Sequence, residues 1–223
     1  MGVVAFVLAL VACTSGSSGS EDDGSPSPPD RPGETWYRVT LCSSAGPASI
    51  DMPGPVQIEG PRPLAHLPEP SEGTFAVGYG STDDRRYDAF VIDDAGHLGA
   101  DDASVATGVL KPLNGEPEVV DLGEPTTVGE HVEVPYEEIF NDRRMYSHAL
   151  SGRGVLYAFS VGVRDGSAAE DVDIAHSDLD HMRASVSFPG LDGEDAGRCT
   201  PSQEPITAGA PTDGGDAPSV EES

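Results

Sequence analysis

The chain has 223 residues, 37% of them hydrophobic, and a formal charge of −27 at pH 7. That charge repels phosphate backbones and anionic head groups, so nucleic-acid binding is excluded and membrane contact requires a covalent anchor. With 27 Gly, 20 Pro and 6% aromatic residues, the composition fits a single modest core with flexible flanks, not a collagen-like or wholly disordered chain.

The N-terminus reads GVVAFVLALVA from Gly2 to Ala12. This apolar run is too short to cross a bilayer and suits the h-region of a secretory signal. Leu10-Val11-Ala12-Cys13 follows at its end. The stretch resembles the lipobox of bacterial lipoproteins. That resemblance implies a signal peptide over residues 1–12, cleavage after Ala12, and a diacylglycerol joined to Cys13 through a thioether. A thiolate is a good nucleophile for taking up lipid. The resemblance covers residues 1–13 and departs from the pattern in one respect: no Lys or Arg precedes the apolar run.

Residues 13–34, TSGSSGSEDDGSPSPPDRPGE after the cysteine, carry no large apolar side chain. Gly and Ser make such a segment flexible and the prolines stiffen it. A coil of ~20 residues spans roughly 25 Å, enough to hold a domain clear of a membrane. The apolar run targets, the cysteine anchors, and the spacer separates.

The chain has three cysteines. Lipidation uses Cys13 and leaves Cys42 and Cys199, which an oxidising exterior favours as a disulfide. That bond closes nearly the whole domain, with a model stabilisation of about 5 kcal/mol. Two free thiols are the alternative. Neither cysteine belongs to a CxxC, which argues against redox catalysis and a zinc site.

Between the flanks, residues 35–200 read as one β-rich domain. TWYRVTL, ASIDM, VQIEG, GTFAVGYG, YDAFVID, SVATGVL, PEVVDL, HVEVPY, VLYAFSVGVRDG, VDIAH and ASVSF are strand-like runs separated by Gly, Pro and Asp turns. The fold class expected is mainly β: a sandwich of short antiparallel strands, Ig-like or similar, with one or two short helices. One helix is expected over PYEEIFNDRRMYSHALSG, with Pro135 at its first position and Gly152 as its stop. A shorter one is expected from Ser177. Residues 201–223 read as a disordered acidic tail.

Catalytic motifs tied to a local spacing are absent: there is no GxSxG, HExxH, SxxK, P-loop or GxGxxG. The richest polar stretch is EDVDIAHSDLDH. Read as a strand and turn, it places Asp171 and Asp173 on one face and Asp178 and Asp180 just beyond, a set of oxygens able to wrap Ca2+. Asp93, Asp94, Asp101 and Asp102 form a second such stretch. Neither matches an EF-hand loop, and Asp residues in loops are more often turn formers. The pairs Arg85-Arg86 and Arg143-Arg144 can grip a carboxylate or phosphate, or simply compensate neighbouring acids.

The expected protein is thus a lipid-anchored module at the extracytoplasmic face of the cell membrane. Its expected activity is non-catalytic, the binding of a protein or small-molecule ligand. An extracytoplasmic hydrolase built from Asp and Glu carboxylates is the alternative, distinguished by a cleft with converging acids of perturbed pKa.

Overall fold

The computed structural model describes residues 27–43, 46–63, 74–82, 84–108, 118–187 and 199–206. Cys13 and the signal segment lie outside the described residues. Among the described residues the fold is mainly β and antiparallel, with two sheets and two α-helices.

The smaller sheet has β1 (Trp36–Ser43) at its centre, flanked by β2 (Gly46–Pro53) and β11 (Ser202–Pro205). The larger, eight-stranded sheet contains β3 (Gln57–Pro63), β4 (Thr74–Ser81), β5 (Arg85–Ile92), β10 (Val155–Arg164), β9 (Arg143–Gly152), β8 (His131–Phe140) and β6 (Glu118–Leu122) in that order. The short β7 (Thr126–Val128) also pairs with β8. Helix α1 (Asp102–Gly108) packs on one face of the large sheet, against β8 and β9. The small sheet and helix α2 (Ala169–Ser185) cover the other face.

Strand alternation sorts the core. On the face toward the small sheet and α2, Tyr87, Ala89 and Val91 of β5 join Tyr157, Phe159, Val161 and Val163 of β10. Val39, Leu41, Ile50 and Met52 of the small sheet complete this layer, with Ala175, Leu179 and Met182 of α2. The opposite face gathers Ile92, Leu156, Ala158, Val134 and Ala149 beneath α1. β10 is buried along almost its whole length because both its faces are covered.

The two sheets approach closely where β4 carries glycine. A Cβ on Gly80 would stand 2.7 Å from the Pro53 carbonyl oxygen, and one on Gly78 would stand 3.2 Å from the Val56 side chain. Cys42 and Cys199 are joined by a disulfide, with Cα atoms 5.7 Å apart, tying the start of the domain to its end.

Several expectations are corrected. The segment expected as a helix from Pro135 is the β8–β9 hairpin. Its two-residue turn places Asn141 and Asp142 at φ 50 and 61, the left-handed conformation of a tight hairpin. Asn and Asp tolerate that region, and both faces of β9 are buried, which imitates a helical stripe. SVATG of the run SVATGVL, expected as a strand, lies in α1, which starts at Asp102: the Asp101 carboxylate accepts a hydrogen bond from the Ser104 backbone N–H at 2.8 Å and caps the helix, and Val109 and Leu110 lie outside the described residues. VDIAH lies within α2, which starts well before Ser177. Ser202–Pro205, expected in the disordered tail, forms β11, and Ile206 packs against the main core.

Candidate functional site

Helix α2 buries Ala175, Asp178, Leu179, His181, Met182 and Ser185. The spacing is helical, but three of these side chains are polar, and their partners show what they do.

Asp178 is fully buried. Tyr87 donates its hydroxyl to Asp178 Oδ2 at 2.7 Å, and Arg85 Nε donates to the Tyr87 oxygen at 2.6 Å. Arg31 donates to Asp178 Oδ1 and, at 3.2 Å, to Glu34 Oε2. Arg85 Nη2 closes the ring by donating to Glu34. Burial pushes the Asp178 carboxyl up, against the pull of Tyr87 and the two arginines. The end of the spacer expected over residues 13–34 is therefore docked on α2 and β5 through Arg31 and Glu34.

Asp51 of β2 is likewise buried. Its carboxylate takes both Arg38 nitrogens, one at 3.2 Å, and lies 3.3 Å from His181 Nε2. Burial opposes its ionisation, but His181 and Arg38 outweigh that and hold it below the usual range. The His181 ring meets Trp36 edge-on, with centroids 4.7 Å apart.

Glu133 of β8 receives Arg183 in a bidentate pair at 2.5 and 2.7 Å, and His148 Nδ1 lies 2.5 Å from Oε1. Burial raises its pKa, but His148 and Arg183 prevail and hold it at about 2.

These three clusters are internal ion pairs that fix α2 to both sheets. They settle where the expected cation ligands stand. Asp178 is occupied by Arg31, Arg85 and Tyr87; Asp173 and Asp180 are exposed, and Asp171 is half-buried near the start of α2. As helical residues, the four do not surround one point, and among the described residues no group of three or more His, Cys, Asp and Glu side chains is placed to hold a metal. The second stretch is also divided. Asp93 accepts from the Thr74 backbone and hydroxyl, Asp101 caps α1, and Asp102 accepts from Ser151 Oγ at 3.3 Å.

The opposite face of β5 is different. Alternation turns Arg86 and Asp88 away from Arg85 and Tyr87. Arg86 Nε donates to Asp88 at 3.0 Å, and its guanidinium stands over the Tyr79 ring, 5.8 Å from the centroid. Arg86, Tyr79, Gln57, Pro55, Gly80 and Ser81 line an open cleft of about 470 Å3 at the β3–β4–β5 corner. Farther along this face stands Glu138 of β8. Burial pushes both Asp88 and Glu138 up, against Arg86 for Asp88 and with the Asp88 charge adding to the effect on Glu138.

Tyr79 offers a ring face, Gln57 an amide, and Arg86 a cation already oriented by Asp88. Sequence reasoning found the Arg85-Arg86 pair but not its division. Tyr79 is only half-buried and lines the cleft. The period-two pattern of RRYDAFVI was the signal that separates the two arginines.

No family model matches the chain, and no curated protein matches it. Among solved structures, the chain is similar to the solution structure of cyanobacterial PsbP (CyanoP) from Synechocystis sp. PCC 6803. The identity is 14% and the TM-score 0.44, with 69% of this chain and 92% of that one covered.

Proposed function

We propose that this protein is a lipid-anchored, extracytoplasmic binding module that takes a small polar ligand in the cleft of Gln57, Tyr79 and Arg86. The carrying observation is the composition of that cleft, which supplies a π face, a guanidinium and an amide. Its two hydroxyls, those of Tyr79 and Ser81, have no histidine among the lining residues to act as base. A ligand with a carboxylate or a planar ring matches these groups.

The anchor rests on the resemblance of Leu10–Cys13 to a lipobox and on the spacer that follows. The Cys42–Cys199 disulfide fits an oxidising compartment. No helix among the described residues is long and apolar enough to cross a membrane. Two experiments test the reading. Cys13→Ala releases the protein from the membrane fraction if the anchor is covalent lipid; retention of the variant overturns the anchor. A thermal-shift screen with small carboxylates and planar aromatics stabilises the native protein but not Arg86→Gln if the cleft binds.

One observation favours a second reading as a hydrolase: Asp88 and Glu138 share a sheet face and are both raised by burial, as a general acid requires. Turnover of a chromogenic glycoside panel, abolished in Glu138→Gln, would support it.

A further inference from the structure

The three large hydrophobic residues that stand exposed among the described residues all lie on one edge of the large sheet. They are Val120 (45% exposed), Leu122 (48%) and Val128 (43%). Single exposed apolar residues are ordinary on a protein surface, but their concentration on one strand edge is not. β6 and β7 lie end to end along β8, with Leu122 opposite Tyr136 and Thr126 opposite Glu133. Among the described residues, neither pairs with any other strand, so the outer backbone N–H and C=O groups of this edge have no strand partner there.

The charge of the edge is one-sided. Glu130, Glu133 and Glu137 are already paired with Arg153, Arg183 and Arg144, which leaves the edge with Glu118, Asp121 and Glu124, and no Lys or Arg lies between Glu118 and Asp142. A second copy pairing here would set these acids against their own images, which is unfavourable. The register shift between Val119 and Asp121 also works against self-pairing. The chain's own end, with Asp213, Asp216, Glu221 and Glu222 and no basic residue after Arg198, has the wrong sign.

We infer that the β6–β7 edge docks an extended, basic segment of a partner protein, added as a further antiparallel strand. Main-chain hydrogen bonds supply the register, alternate apolar side chains meet Leu122 on one face of the sheet, and the intervening Lys or Arg side chains meet Asp121 and its neighbouring acids. This surface is separate from the cleft, and the two stand or fall independently.

The test is hydrogen exchange of the purified full chain with a synthetic decapeptide of alternating Val and Lys. The expected result is protection of amides in residues 118–128, weakened by salt, with no change at the β3 edge. Leu122→Glu keeps the melting temperature, since the side chain is exposed, and weakens the peptide at least tenfold. A peptide of equal charge interrupted by proline gives no protection, and Arg86→Gln leaves protection intact. The inference is overturned by protection at another edge, by no protection, by equal protection from the proline peptide, or by protection that grows with protein concentration alone.

Discussion

Arg85 and Arg86 are neighbours in the chain and serve opposite faces of one strand. Arg85 is 6% exposed and joins Tyr87, Glu34 and Asp178 in the interior, while Arg86 reaches the open cleft over Tyr79. Substitution should therefore separate stability from binding. Removing one member of a buried ion pair costs roughly 3–5 kcal/mol, because the remaining charge is left uncompensated. Arg85→Gln is expected to lose stability in that range. Arg86→Gln is expected to lose no more than about 1 kcal/mol. Urea denaturation of both variants checks the contrast.

The acid limb of stability should belong largely to Glu133. Its folded pKa is about 2, against an ordinary value of 4.5. A carboxyl depressed on folding contributes stability that is present above the unfolded pKa and is lost as pH falls through the folded one. The expected contribution at neutral pH is about 3 kcal/mol, lost progressively below pH 4.5 and gone near pH 2. Asp51 acts in the same direction. Asp178 is raised and acts in the opposite direction, favouring the fold as it takes up its proton. Glu133→Gln should lower stability at pH 7 and flatten the acid dependence, read from urea midpoints at pH 7, 5 and 3.

Reducing the Cys42–Cys199 bond opens a loop of 157 residues. Chain entropy puts the loss at up to about 5 kcal/mol. Cys42→Ser and Cys199→Ser should each lower the melting temperature substantially, and the native protein should match them in the presence of a reductant.

Gly80→Ala should cost about 1–3 kcal/mol through crowding, because the new methyl meets the Pro53 backbone, which cannot rotate away. Trp36 is the single tryptophan and packs against His181 of α2. Its fluorescence therefore reports whether α2 remains seated in this variant.

Most of the strands were legible because their apolar residues fall in short runs and alternations, as in YDAFVID and ASIDM, whereas β9 reads as a helix because both its faces are buried. The disulfide was legible from cysteine arithmetic. Helix α2 was hidden because Asp178, His181 and Ser185 occupy its buried face, so hydrophobic periodicity is interrupted where the helix is best packed. Their compensation by Arg31, Arg85 and Asp51 comes from distant segments and leaves no local trace. β11 was hidden because SQEP is polar and mostly exposed, held by backbone pairing with β1 instead of side-chain burial. The cleft joins β3, β4 and β5, and only the alternation of β5 pointed toward it.

The most direct test of the binding reading is an amide-resolved NMR titration of the full chain with the strongest ligand from the thermal-shift screen. The expected result is saturable shifts at Gln57, Tyr79, Gly80, Ser81 and Arg86, absent in Arg86→Gln, with the ligand chemically unchanged. Shifts centred on Asp88 and Glu138 with consumption of the ligand would contradict it and establish the hydrolase instead.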